Sequence, residues 1–334
     1  MKKILLISSV LTLISLCGLA VFIFNLRHYA GQPARFDSEN IVVNIPSGQA
    51  FRVTTDLLFK AGIIKSPFKF NMVARLKGYD KQLKAGEYAL SATMTPIQIM
   101  EKLVKGEVQL YKLTVPEGLN IYQIADRVAE AGFAQNSSFI AAATDADLAR
   151  KNGIPAATLE GYLFPETYYF PKKVSIETII STMLKRFRKV FNSAWKERAD
   201  QLGFSIHQIV TLASIIEKET GAPFERPVIS SVFHNRLKRK MRLESDPTVI
   251  YGLKNFDGNL KRRHLETPTP YNTYKIRGLP AGPIANPGTK SLEAALYPAD
   301  TKFIYFVSKK NKTHQFSTNF KDHNRAVRKY QLGR

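Results

Sequence analysis

The chain has 334 residues, 44% of them hydrophobic, which leaves room for a membrane anchor plus one or two ordinary domains and excludes global disorder. Its single cysteine, Cys17, sits in an apolar N-terminal stretch, so an intrachain disulfide and a cysteine-based metal site are both excluded. The formal net charge of +22 points to an anionic partner, yet no zinc-finger spacing, glycine-rich phosphate loop or RNA-binding aromatic signature accompanies it, so no nucleic-acid partner is expected.

Residues 4–24, Ile4 to Phe24, form an uncharged run long enough for a hydrocarbon core that needs roughly 20 residues. Lys2 and Lys3 precede it, and Arg27 and His28 follow. The leading lysines favour a cytoplasmic tip at 1–3 with the rest of the chain outside that membrane. A cleaved signal peptide wants a shorter apolar region and a small-residue cleavage site, and none follows Phe24. A lipoprotein would use Cys17, but Leu16 is bulky where a small residue is needed. An uncleaved single-pass anchor is therefore expected. The polar stretch 25–40, with Gly31, Gln32 and Pro33, reads as a short linker.

A weak internal repeat follows. Ile45-Pro46-Ser47-Gly48 matches Val115-Pro116-Glu117-Gly118, and at the same offset of 70 residues Ala61-Gly62-Ile63 matches Ala131-Gly132-Phe133. Each copy predicts a strand, a Pro-x-Gly turn, a helix of about three turns and a terminating glycine. In the second copy Ile121, Ile124, Ala125 and Val128 recur at helical spacing. Ser66-Pro67 predicts another helix start, Glu87 to Leu90 a strand, and Thr95-Pro96 to Val104 a helix. This strand–helix–helix–strand order, placed at 41–108, resembles a LysM module, a small peptidoglycan-binding fold.

No low-complexity break interrupts 109–334, so this stretch is read as one larger α+β domain. Helices are expected over Ile176 to Trp195 and Ser205 to Thr220, and a strand over Phe303 to Val307. Basic residues cluster at Lys185 to Lys189, Arg236 to Arg242 and Lys261 to Arg263. They read as solvated faces; alternatively Arg236, Lys238, Arg239 and Lys240 hold anionic wall or lipid.

The densest chemistry runs from Leu212 to Gly252. It includes Ala213-Ser214-Ile215-Ile216-Glu217-Lys218-Glu219-Thr220, then Val232-Phe233-His234-Asn235-Arg236-Leu237, then Leu243-Glu244-Ser245-Asp246-Pro247-Thr248. Upstream lies Leu159-Glu160-Gly161-Tyr162-Leu163-Phe164-Pro165-Glu166-Thr167-Tyr168. Downstream lie Pro270-Tyr271-Asn272-Thr273-Tyr274 and Gly278-Leu279-Pro280-Ala281-Gly282-Pro283-Ile284. On a helical wheel, Ile206, Ile209, Leu212, Ala213 and Ile216 make one apolar face. Glu217 and Glu219 lie at its two borders, and Lys218 points away. The wheel narrows a half-buried acid to these two glutamates and does not separate them. Glu217 reads equally well as a structural partner of a nearby arginine or polar loop.

Together and in order, these segments resemble the MltG (YceG-like) endolytic murein transglycosylases over nearly the whole chain. One departure is Glu166, where the family motif is expected to carry aspartate; the carboxylate is kept. The resemblance implies cleavage between N-acetylmuramic acid and N-acetylglucosamine without water, leaving a 1,6-anhydro end. It also implies cuts within nascent strands near the membrane, termination of their polymerisation, and contact with peptidoglycan synthases. It selects the second glutamate of the Glu-x-Glu pair, Glu219, as general acid and then base. One carboxylate suffices because the nucleophile, the C6 hydroxyl, belongs to the substrate, whereas most glycosidases need two.

Glu217, Glu166, Asp246, Tyr271, Asn272, Thr273 and Tyr274 are candidates to line the sugar cleft, or else caps and turn-forming residues. The histidines at 234, 264, 314 and 323 show no metal signature, and neither metal nor cofactor is expected. Two other readings compete. One is a hydrolase using Glu219 with Asp246 or Glu166. The other is a non-catalytic wall-binding scaffold, which has no need of a half-buried acid. The expected whole is a single N-terminal transmembrane helix, a small LysM-like α+β module and a larger α+β catalytic domain, held at the cytoplasmic (inner) membrane and facing outward.

Overall fold

The computed structural model describes residues 2–254 and 256–333, with side chains from Leu6 onward. Met1, Asn255 and Arg334 lie outside the described residues, as do the side chains of residues 2–5, on which the expected cytoplasmic tip rests. The chain divides into two compact units, residues 1–111 with 169–173, and residues 112–168 with 174–334.

The first unit carries α1 (Lys2–Ala30), β1 (Ile41–Ile45), α2 (Phe51–Lys60), α3 (Pro67–Lys77), β2 (Gly86–Leu90) and α4 (Pro96–Lys105). From Leu6 to Ala30, α1 is long and apolar enough to cross a membrane. It does not stop at Phe24. Residues 25–30, expected in a linker, continue the helix, and Leu26 and Tyr29 enter the hydrophobic core with Leu58, Phe70, Tyr88 and Leu103. The polarity of Asn25, Arg27 and His28 hides this, because only every third or fourth residue of the last turns faces inward. β1 and β2 pair antiparallel from Ile41↔Leu90 to Ile45↔Gly86. α3 starts as expected, with the Ser66 hydroxyl accepting from Lys69 N and proline in the first turn. α4 opens with a Thr95–Gln98 capping box. The unit is α+β in the expected strand–helix–helix–strand order.

The second unit begins within β3 (Leu110–Thr114) and continues through α5 (Ile121–Glu130), α6 (Asn136–Ala143) and α7 (Ala146–Lys151) to the first residues of β4 (Thr167–Pro171), whose remainder, from Tyr169, belongs to the first unit. β3 and β4 form a two-stranded sheet. The repeat is visible in the backbone: α2 and α5 start 70 residues apart, Gly48 and Gly118 have φ of 75° and 77°, and Gly62 and Gly132 have φ of 70° and 71°. Next come α8 (Ile176–Val190) and α9 (Ser193–Gln201). One helix was expected up to Trp195. Instead Phe191 leaves helical geometry at ψ 71°, and the Asn192 side chain accepts from Trp195 N to start a new helix. Asparagine is a strong N-cap, so a break within an apparently continuous run follows.

The unit is completed by α10 (Ile206–Glu219), α11 (Arg226–Lys238), α12 (Asp246–Gly252), α13 (Arg262–Glu266), α14 (Thr289–Leu296), β5 (Tyr305–Ser308), β6 (His314–Ser317) and α15 (Phe320–Tyr330). The strand expected at Phe303 to Val307 is β5, and it pairs antiparallel with β6, from Tyr305↔Ser317 to Ser308↔His314. α10 is the central helix. Every residue from Ile209 to Ile216 is buried, and α9, α11, α12 and α14 pack around it. Each fully buried Leu or Ile there contributes about 1.5–3 kcal/mol relative to exposure, enough to fix the axis of the helix that carries the Glu-x-Glu pair.

Candidate active site

α10 starts with a Ser205–Gln208 capping box and ends at Glu219. Thr220 turns extended at ψ 110°, and both its N–H and its hydroxyl donate to Ile216 O. Next in the chain, Gly221 packs so closely on the β5–β6 turn that an added Cβ would stand 2.5 Å from Lys312 O. The helix is thereby forced to stop with Glu219 in its last turn. The negative end of the helix dipole disfavours an ionised acid at that place.

The Glu219 side chain is half-buried, and its Oε1 accepts a 2.6 Å hydrogen bond from the Ser245 hydroxyl. Ser245 stands at the N-cap of α12 without capping it through its side chain. A serine there ordinarily gives its oxygen to the helix N–H groups; here the hydroxyl faces Glu219 instead. Ser245 is in turn held by its backbone. Its N–H donates to Thr273 Oγ1 at 3.0 Å, its carbonyl accepts from Thr248 Oγ1 at 2.6 Å, and the two threonine hydroxyls are 2.8 Å apart. All three residues are buried, with Thr248 and Thr273 fully so.

Burial pushes the Glu219 carboxyl from 4.5 up to about 7; the Ser245 hydroxyl and the Arg236 guanidinium pull it down, and the neighbouring Asp246 pushes it up. A carboxyl poised near neutrality can be protonated at rest and still give up its proton, which is what a general acid needs. Asp246 is exposed, and its Oδ1 accepts from Tyr274 Oη at 2.7 Å. Burial, and after it that bond, raise the Tyr274 phenol. Glu219, Ser245, Asp246, Thr273 and Tyr274 therefore form one connected cluster.

Other residues singled out by the sequence have different surroundings. Glu217 is paired with Arg226 at 3.4 Å, their side chains 8% and 14% exposed, and its Oε2 accepts from Gly288 N at 3.1 Å. It ties α10 to the start of α14 and α11. Asn272 and Thr273 are fully buried and do not line a cleft. Asn272 donates to Leu265 O and Thr267 O and accepts from Tyr274 N, so it orders the loop that presents Tyr274. Tyr271 packs edge-on against Tyr251, ring centroids 4.8 Å apart. Glu166 is held in an ion pair by Arg186 of α8.

Arg236, read from sequence as part of a solvated basic face or, alternatively, of an anion-holding one, is 6% exposed. Its guanidinium donates to Ile304 O and Leu243 O, both at 2.7 Å, and lies over the Tyr305 ring. It belongs to the scaffold under the cluster, while Lys238, Arg239 and Lys240 remain solvent-facing. Charge patterning cannot separate these cases, because α11 buries one of its basic residues through its periodicity alone.

Two important residues were not singled out. One is Ser245, which looks like an ordinary cap in Ser-Asp-Pro. The other is Glu160, which is 1% exposed and accepts from Ile121 N, Tyr251 Oη and Asn286 Nδ2 at 3.2, 2.9 and 2.8 Å. Burial lifts its carboxyl to about 7. Through Tyr251 it anchors the C-terminal end of α12, whose N-terminal end holds Glu219. The signal was a lone acid in the apolar run Leu159 to Phe164, beside Gly161 at φ 87°, where an added Cβ would meet Pro283 and Val210. Among the described residues no group of three or more His, Cys, Asp and Glu is arranged to hold a metal ion.

Residues 43–329 match the YceG-like family. An endolytic murein transglycosylase of Bacillus subtilis is 36% identical over 316 residues, covering 90% of this chain and 87% of that protein. An endolytic murein transglycosylase of Streptococcus pneumoniae is 31% identical over 320 residues, covering 86% of this chain and 58% of that longer protein. The crystal structure of a yceG-like protein from Listeria monocytogenes superposes with a TM-score of 0.60 at 34% identity, covering 86% of this chain and 99% of that one.

Proposed function

The chain belongs to the YceG-like family, and from that premise we propose that Glu219 is both the acid and the base of its glycan cut. The chain is a lytic transglycosylase whose substrate is peptidoglycan, the activity its relatives are named for. The observation that carries the assignment to Glu219 is its environment: a half-buried carboxyl at a helix terminus, raised to about 7, with Ser245 fixed on one oxygen.

The chemistry then runs as follows. With Ser245 holding Oε1, Oε2 carries the proton and gives it to the glycosidic oxygen. The bond from that oxygen to C1 of N-acetylmuramic acid breaks, and the N-acetylglucosamine side leaves with a C4 hydroxyl. The resulting carboxylate takes the C6 hydroxyl proton, and the C6 oxygen closes onto C1. No water is consumed, one 1,6-anhydro end forms, and Glu219 ends protonated, ready for the next cut. Asp246 and the Tyr274 hydroxyl lie beside the reacting carboxyl, where they can bind sugar hydroxyls or N-acetyl groups. α1 anchors the chain in the cytoplasmic membrane with both units outside it. From there it cuts within nascent strands, terminates their growth and meets the synthases that make them. The 41–108 module, LysM-like in element order, contributes affinity for the wall.

A hydrolytic reading keeps one observation in its favour, the second carboxylate of Asp246 next to Glu219. In that case water would add to C1 and the product would carry a reducing end. The assignment of the acid is tested with Glu219→Gln and Glu217→Gln, following anhydro-muropeptide formation and thermal melting. General acid–base catalysis contributes about 10²- to 10⁴-fold, and Glu219 serves both steps, so its loss falls at the upper end with folding intact. A folded but inactive Glu217→Gln beside an active Glu219→Gln would overturn the assignment.

A further inference from the structure

α3 returns along the end of α1. Tyr29 Oη donates to Ser66 O at 3.0 Å, and the Lys69 ammonium lies over the Tyr29 ring, so the start of α3 meets the last turn of α1. The other end of α3 meets α1 earlier in its sequence. Val73, Leu76 and Lys77 line a cavity of about 580 Å³ together with Ile23, Leu26 and Ala30. α3 therefore runs back along the end of α1, and its C-terminal turn shares one groove with α1 residues from Ile23 to Gly31.

The depth of Ile23 can be placed. From Leu6 to Arg27, α1 rises about 32 Å at 1.5 Å per residue, against a hydrocarbon core of about 30 Å. Ile23 then lies inside the outer boundary of the core and Arg27 at the headgroups. The groove begins within the apolar span, so its apolar walls open toward lipid. Leu76, on the wall opposite α1, is 71% exposed and extends the apolar surface at the open side of the groove. Arg27 and Lys77 both line the groove and both face solvent. Two cations at the headgroup end of an apolar groove complement a phosphate joined to acyl chains.

We propose that this groove is a lipid site: an acyl chain of an outer-leaflet phospholipid lies between α1 and α3, and Arg27 and Lys77 hold its anionic headgroup. The occupant is a lipid of the bilayer that α1 crosses, so the proposal rests on the membrane-spanning reading of α1. Its consequence is that the first unit is seated on the membrane surface by α3 as well as tethered by α1.

The test uses the full chain with Trp195→Phe, reconstituted in bilayers whose lipids carry bromine either near the headgroup or deep in the chain. Tryptophan is placed at Leu76→Trp or, as a reporter of spanning, at Leu13→Trp. The proposal expects Leu76→Trp to be quenched by the shallow bromines and Leu13→Trp by the deep ones. Unquenched Leu76→Trp beside quenched Leu13→Trp overturns the lipid site and leaves the anchor standing. If neither is quenched and the protein leaves the bilayer, the spanning reading fails. The headgroup is tested by carrying the bromine on phosphatidylglycerol or on phosphatidylcholine in otherwise identical mixtures. Quenching of Leu76→Trp should favour the anionic lipid, and Arg27→Gln or Lys77→Gln should each lower that preference about fivefold. Equal quenching by both headgroups, unchanged in the variants, overturns the anionic assignment.

Discussion

Replacing Ser245 with alanine isolates what its hydroxyl does for Glu219. The side chain is 1% exposed, and both of its other bonds are made by its backbone, to Thr273 and Thr248, so Ser245→Ala removes the 2.6 Å bond to Glu219 and leaves the loop wired. A short O–H to carboxylate bond stabilises the ionised form; bonds of this kind contribute about 1.5–3 kcal/mol. One pH unit of carboxyl acidity corresponds to about 1.4 kcal/mol. Since Glu219 is partly open to solvent, the lower end applies, and the variant should hold its proton to about one pH unit higher. The acid step requires the protonated form, so activity falls as pH rises through the carboxyl value, and the alkaline limb of kcat/KM must move upward in Ser245→Ala. At low pH, where both proteins are protonated, the remaining loss is one of orientation and stays within about 100-fold, the cost of a misplacement near 1 Å. The assay is the pH profile of anhydro-muropeptide release by both proteins. An alkaline limb that stays in place or moves down would refute the claim that Ser245 sets the acidity of Glu219.

The raised carboxyl has a further consequence for stability. The folded value of about 7 lies above the ordinary 4.5, so the folded state binds this proton more tightly and loses stability as pH rises between those values. Glu219→Gln should therefore melt higher than the parent at about pH 8, by at most about 3 kcal/mol, and equally at about pH 4; a parent that is the more stable at high pH would contradict this. Glu217→Ala leaves Gly288 N without its acceptor and Arg226 with only Ser291 and the more distant Glu117, and should cost about 2 kcal/mol by denaturant unfolding. Arg236→Gln should cost about 3 kcal/mol, without weakening binding to isolated sacculi. In contrast, the solvent-facing Lys238, Arg239 and Lys240 should make that binding salt-sensitive, since screening sets in beyond about 8 Å at physiological ionic strength. Sacculus binding unaffected by salt would leave those lysines and Arg239 as a solvated face.

The sequence exposed those parts of the structure that follow from local rules. Helix periodicity and caps located α3, α4, α5 and α10 closely, and the Pro-x-Gly repeat marked two helix entries with matching glycine geometry. Periodicity also left two glutamates at the borders of one apolar face, and could go no further, because the choice depends on what α12 and α14 bring to each. Glu217 meets Arg226 and Gly288; Glu219 meets Ser245. Those partners are 9 to 71 residues away, beyond any local pattern. Ser245 was overlooked because it obeys the composition of an N-cap while doing something else with its hydroxyl. Asn272 and Thr273 were open in the sequence between lining a cleft and ordering turns, and their full burial and hydrogen bonds favour the turn-ordering reading. At the end of α1, polar residues suggested a linker, while Leu26 and Tyr29, three apart, were the residues facing the core.

The central claim is that bond cleavage here consumes no water, and mass spectrometry of the fragments measures that directly. Purified chain incubated with glycan strands should release fragments ending in 1,6-anhydro-N-acetylmuramic acid, each lighter by one water than the hydrolytic fragment, and Glu219→Gln should release almost none. Fragments bearing the extra water and a reducing end would contradict the account and make the chain a hydrolase, with Asp246 as the next residue to change.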